Sequence, residues 1–157
     1  MKITFLLCGK TSEKWISEGI NLYSKRIKNY ISFEEKILPD LKNSSKLSVI
    51  EIKSKEGEQI LNELDVSDFL ILLDENGNTF SSISFANELQ KLMNTGRKRF
   101  VFLVGGPYGF SPEVFKRANM KISLSEMTFS HQIIRVIFLE QLYRAFTILN
   151  NEPYHHQ

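Results

Sequence analysis

Cysteine is nearly absent: Cys8 stands alone in a chain of 157 residues. That excludes an internal disulfide and a cysteine-built metal cluster, and it points to a reducing compartment. Long apolar runs are missing too. No stretch approaches the about 18 residues of a membrane-spanning helix, and the opening MKITFLLCGK lacks a signal-peptide cleavage pattern. The expectation is a cytoplasmic protein without a membrane segment. With 4 prolines and 8 glycines, the chain has no linker, low-complexity tract or repeat. An excess of one charge is also lacking, because 20 bases against 18 acids leave +2. What is present is ordinary for a globular chain, 42% hydrophobic and 24% charged residues. The length predicts one domain, residues 1–157, able to bury a core without staples.

The near-neutral total hides an asymmetry. Residues 1–78 carry 11 bases and 13 acids, whereas 79–157 carry 9 and 5. Seven bases fall within 91–121 (Lys91, Arg97, Lys98, Arg99, Lys116, Arg117, Lys121) against the single acid Glu113. Such a cluster either meets a polyanion or forms a solvated face of mixed helices.

Apolar periodicity divides the chain into alternating strands and helices. Strands are expected at Ile3–Cys8, Phe33–Leu38, Phe69–Asp74, Phe100–Val104 and Lys121–Leu124. Continuous runs such as Phe69–Leu73 suit strands covered on both faces. Helices are expected from Ser12 as N-cap to Lys28, with Trp15, Ile16, Ile20, Tyr23 and Ile27 on one stripe. Others should run over Val49–Leu64, from Ser81 or Ser82 to Gly96, from Ser111-Pro112, and over Ser130–Leu149. Leu41–Ser48 reads as a surface loop and Glu75–Asn78 as a turn. Five strands alternating with five helices define an α/β fold, a mainly parallel sheet flanked by helices.

Ligands of such sheets bind beyond the carboxyl ends of the strands. Three ends stand out: Leu73-Asp74, Gly105-Gly106, and Leu124–Phe129. The glycines at 105, 106 and 109 form either a structural turn or a ligand loop; their spacing is not the dinucleotide fingerprint. The last helix is apolar around most of its circumference and so requires cover on more than one side, for which a second copy of the chain is one candidate. Arg135 and Arg144 interrupt it and need an anion, a carboxylate such as Glu140, or water. His155 and His156 read as a frayed terminus rather than metal ligands, and no metal is expected. Cys8 reads as a core residue.

LVGGPYGFSPEV, ISLSEMTFSHQIIRVIFLEQLYRAFTI and the closing NEPYHHQ, with MKITFLLCGK at the start and KEGEQIL in the middle, resemble the bacterial family that methylates N3 of a pseudouridine in 23S ribosomal RNA. That family belongs to the SPOUT class, which uses S-adenosylmethionine. The resemblance runs from the first strand to the last residues, and its most specific part is the C-terminal third. Ser130 stands where the family commonly has proline, and Tyr108 occupies a variable position.

The resemblance implies an α/β fold with a C-terminal trefoil knot. It implies S-adenosylmethionine held by Leu73, Gly105, Leu124, Ser125, Glu126, Met127, Thr128 and Phe129. It further implies Arg144, Tyr154 and His155, with His131 in a lesser role, on the substrate side. A homodimer acting on the assembled ribosome completes the expectation. Two other readings stand beside it: a SPOUT enzyme with a different RNA target, and a non-catalytic ribosome-binding factor.

Overall fold

The computed structural model describes residues 1–156. It contains five strands, β1 (Lys2–Cys8), β2 (Ser32–Leu38), β3 (Phe69–Thr79), β4 (Arg99–Val104) and β5 (Met120–Ser123). They form one parallel sheet in the order β2-β1-β4-β3-β5. The helices are α1 (Lys14–Ile27), α2 (Val49–Asn62), α3 (Ser82–Asn94), α4 (Pro112–Arg117) and α5 (Ile133–Leu149).

Period-two alternation explains the three layers. Ile3, Phe5 and Leu7 of β1, with Phe100 and Phe102 of β4, face a core closed by α1, α3 and α5. Leu6 and Cys8, with Val101 and Leu103, face the opposite core, closed by α2 and α4 through Ile60 and Val114. Both faces of β1 and β4 are therefore dry, and their sequences are continuously apolar for that reason. The ring of Phe138 on α5 lies 5.2 Å from Phe5 and 4.8 Å from Phe102, fastening α5 to the centre of the sheet.

α5 lies between α1 and α3 on this face, so its flanks are covered by two helices of its own chain. That relieves most of the need for external cover that its all-round apolar sequence suggests. Gly19 permits the close approach of α1, since a Cβ there would meet Val136 at 3.0 Å.

Several expected boundaries move. Ser12 does not cap α1; Glu13 precedes the helix without a side-chain bond, and the Ser12 N–H donates to Gln132 Oε1 at 3.0 Å. Trp15, expected in the buried stripe, is 55% exposed. The 41–48 connection contains a 3₁₀ turn, Ser44–Lys46, and its last residue, Ser48, forms a capping box with Glu51 at the start of α2. The expected turn at 75–78 is a register shift inside a longer β3, where Asp74 accepts the Asn76 N–H at 2.9 Å and pairing with β5 resumes at Asn78. α5 begins at Ile133, three residues after the expected Ser130.

Candidate active site

Two loops meet beyond the carboxyl ends of β4 and β5. The first is Gly105–Phe110, folded on itself by a bridge between Gly106 and Gly109, with Gly109 at φ +80° where side-chain-bearing residues are strained. Gly105 is needed for a different reason: a Cβ there would sit 2.9 Å from the Phe110 ring. The second loop, Leu124–Gln132, is shaped by its own polar side chains. Ser123 donates to the Ser125 carbonyl at 2.8 Å, and Ser125 Oγ accepts the Met127 N–H at 2.9 Å. Thr128 donates to Glu75 at 2.7 Å, tying the loop to β3. Ser130, in the place where the resembling family has proline, accepts the Ile133 N–H at 3.2 Å and so helps start α5.

Between these loops and the end of β3 lies a cavity of about 580 Å³. Leu73, Gly105, Leu124, Ser125, Met127, Thr128 and Phe129 all line it. Glu126 does not; it is exposed. Asp74, Glu75, Val104, Ile122 and Ile134 line the cavity as well. A pocket of this size with apolar walls and backbone amides fits a small amphipathic cofactor. His131 stands at its edge, and burial followed by the charge of Arg135 holds the imidazole below the usual histidine range.

Arg135 is a structural clamp. It is fully buried and, among the described residues, makes no ion pair. Its guanidinium donates to the carbonyls of Cys8 (2.9 Å), Gly9 (3.1 Å) and His131 (3.0 Å) and to Thr11 Oγ1 (2.9 Å). It thereby joins the end of β1 to the second loop, consuming the fork of donors that arginine alone supplies.

Arg144, Tyr154 and His155 come together, but elsewhere. Arg144 pairs with Glu140, stacks 4.7 Å from the Tyr154 ring centroid and approaches His155 Nδ1 at 3.3 Å. Tyr154 donates to Glu140 Oε1 at 3.0 Å. Burial, then hydrogen bonding to Tyr23 and Glu140, pushes its phenol above the usual range. Among the described residues, the buried Nε of Arg144 has no hydrogen-bond partner. None of the three residues lines the cavity. Arg144 lies ten residues along α5 from Ile134 on the pocket wall, roughly 15 Å at the helical rise. Gln157, the end of the NEPYHHQ motif, falls outside the described residues.

The basic cluster of 91–121 is largely absorbed by structure. Arg99 binds Asp68 and Thr4, and Arg117 donates to the carbonyls of Asp65 and Asp68. Arg97 stacks on Phe69, Lys121 on Phe115, and Lys91 pairs with Glu88. Arg97, Lys98 and Arg99 sit at the amino end of β4, opposite the cavity.

A second cavity of about 490 Å³ adjoins the first and shares Pro107, Tyr108 and His131 with it. It opens beyond β1 and β2 and is lined by Cys8, Asp40 and Glu56 among others. The Glu56 carboxylate lies against Gly106, where an added Cβ would be 2.7 Å from both oxygens. Sequence reasoning passed over Glu56; its only signal was its place in KEGEQIL.

A parallel α/β sheet with a cofactor-sized cavity at a loop crossing beyond its carboxyl edge defines a nucleotide- or cofactor-binding α/β protein. Comparison narrows the class. Residues 1–155 match the family model described as "Predicted SPOUT methyltransferase". Relatives named "Ribosomal RNA large subunit methyltransferase H" from Christiangramia forsetii and Flavobacterium johnsoniae are 59% and 57% identical over the full length of both chains. A third of that name, from Parabacteroides distasonis, is 56% identical, again over both full lengths. Among solved structures, a probable methylase family protein from Haemophilus influenzae superposes with a TM-score of 0.50 at 14% identity, covering 99% of this chain and 70% of that one. The chain belongs to the SPOUT methyltransferase family.

Proposed function

We propose that the single domain 1–157 transfers a methyl group from S-adenosylmethionine to N3 of a pseudouridine in 23S ribosomal RNA. It does so as a cytoplasmic homodimer acting on the assembled ribosome, with its C-terminal segment threaded as a trefoil knot. The observation that carries this reading is the cavity between the Gly105–Phe110 and Leu124–Gln132 loops, which is lined by seven of the eight expected cofactor residues. The names and high identity of the relatives support the ribosomal target. Among the described residues no helix is long and apolar enough to cross a membrane.

The cavity suits the cofactor on its own terms. Leu73, Val104, Leu124 and Ile134 offer apolar walls for an adenine ring, and the loop backbone from Gly105 onward lines the same cavity. Bound there, S-adenosylmethionine supplies an electrophilic methyl on a sulfonium. The protein's part is to hold the acceptor nitrogen in line with that methyl and keep water out. Arg144, Tyr154 and His155 grip the target nucleotide, and Arg144 steadies the anion formed when the imide loses its proton.

In a single chain those three residues stand some ten helical residues from the cavity. The homodimer resolves this, with the tail and Arg144 of one protomer serving the cavity of the other. Labelled methyl transfer to intact ribosomes, followed by nucleoside analysis, tests the function; calorimetry with S-adenosylmethionine tests the cofactor. Label in N3-methylpseudouridine is expected. Label on a ribose would move the target while leaving the enzyme class, and absence of cofactor binding would overturn the reading altogether.

A further inference from the structure

The imide proton of the acceptor must leave during transfer, and among the residues assigned so far only the His131 imidazole, at the border of both cavities, is a candidate acceptor for it. Arg144 is cationic and the Tyr154 phenol is pushed up. The second cavity contains a group without employment. Glu56 Oε2 is buried and, among the described residues, accepts no hydrogen bond. Its carboxylate presses on Gly106, which follows directly on Gly105 of the cofactor loop. A buried carboxylate oxygen without a donor is costly, so its retention calls for an occupant that brings one.

The chemistry of the cavity limits that occupant. Asp40 and Glu56 both line it, so a phosphate inside would be repelled. A neutral ring carrying an N–H satisfies Glu56. The exposed hydroxyls of Ser44 and Ser45, which line the same cavity, offer donors to ring carbonyls. Lys10 at the rim, with Lys42 and Lys46 exposed in the adjoining loop, suits the flanking phosphates. The shared border at Pro107, Tyr108 and His131 puts such a ring next to the methyl donor's cavity.

We propose that the second cavity receives the target base and that Glu56 is the catalytic base that accepts its N3 proton. This rests on the function proposed above and names a residue for it. In the step, the N3–H proton passes to Glu56 Oε2 and the N–H bonding pair becomes the lone pair that attacks the methyl carbon. The new C–N bond forms as the C–S bond breaks, its electron pair leaving on sulfur as a neutral thioether. Glu56 then returns the proton to solvent.

Burial first, and the charge of Asp40 second, raise the Glu56 carboxyl above its ordinary value, toward the working range of a base. The other ionisable groups at this cavity are Cys8 from β1, Asp40 after β2, Lys10 at the rim, Tyr108 from the first loop and His131 from the second loop. Cys8 is protonated at neutral pH, its thiol pushed up to about 12 by burial and by Glu56. The charge of Arg135, beneath Cys8 and Gly9, is taken up by carbonyls.

The test is Glu56→Gln in the full-length protein, which keeps the shape and removes the acceptor. Four results are expected. Calorimetry gives wild-type affinity for S-adenosylmethionine. Single-turnover methylation of ribosomes falls about 100-fold or more. The residual rate climbs about tenfold per pH unit, as free imide ionisation demands, where wild type levels off. The variant is at least as stable to urea as wild type at neutral pH. That last sign follows from linkage: with the folded carboxyl raised, the native state holds the proton between the two pKa values, and wild-type stability falls as pH rises through that window. Glutamine escapes the penalty.

A wild-type rate and pH profile in the variant would overturn the assignment. So would a variant that loses stability and cofactor affinity together, which would make the carboxylate a prop for the Gly106 loop. Failure of the wild-type chain to methylate a ring nitrogen would instead overturn the function on which the assignment rests.

Discussion

Arg135 shows how one side chain can be indispensable without touching a ligand. Its donors satisfy three backbone carbonyls and a hydroxyl where β1 ends and the second loop begins. Arg135→Ala leaves these acceptors without partners, and a loss of about 3 kcal/mol or more is expected in urea denaturation. Arg135→Lys should recover little, because an ammonium lacks the planar fork. From sequence the residue was ambiguous, since an arginine in an apolar helix asks for an anion as readily as for carbonyls. Only the three-dimensional approach of β1 decides the matter. Cys8 was easier to read, because nothing near it in sequence offered a base. Its thiol, buried and pushed up to about 12, should resist alkylation at neutral pH in the native protein and react once urea unfolds the chain. Glu56 was the opposite case: an ordinary helix glutamate by pattern, made unusual only by a glycine fifty positions away.

At the scale of elements, the strands were legible because both faces of β1 and β4 are buried and the apolar runs announce it. The turn expected at 75–78 was not, because Asp74 folds the backbone locally while pairing to β5 continues beyond. Helix starts were legible where a serine caps, at Ser81 and Ser111. At Ser12 the backbone N–H is taken by Gln132, a contact across 120 residues that no local pattern signals. The packing of α1 on α5 turns on Gly19 and Val136. Gly19→Ala should be close to neutral in stability, since the gain of helix propensity, up to about 1 kcal/mol, offsets a shift of a few tenths of an ångström in Val136. Gly19→Leu forces the helices apart and should cost about 1–3 kcal/mol in denaturant melts. A displaced α5 would also carry Ile134 away from the cofactor cavity, so weaker S-adenosylmethionine binding should accompany the loss.

The whole molecule presents a division that its sequence conceals. The first cavity sits at one end of α5, and the cluster of Arg144, Tyr154 and His155 lies more than two helical turns further along. The motifs that carry them are adjacent in sequence and read as one site, yet a straight helix keeps them apart. If each site combines the cavity of one protomer with the cluster of its partner, two defective chains can repair one another. Gly105→Leu should disable the first cavity by forcing Phe110 and the loop apart, given the 2.9 Å between a Cβ there and the Phe110 ring, and Arg144→Ala should disable the substrate side. Each variant alone is expected to be inactive on ribosomes. Subunit exchange between equal amounts places one intact site in every mixed dimer, so about a quarter of the wild-type activity should return. A site contained within a single chain predicts no recovery at all, because every mixed dimer would then hold two sites with one lesion each.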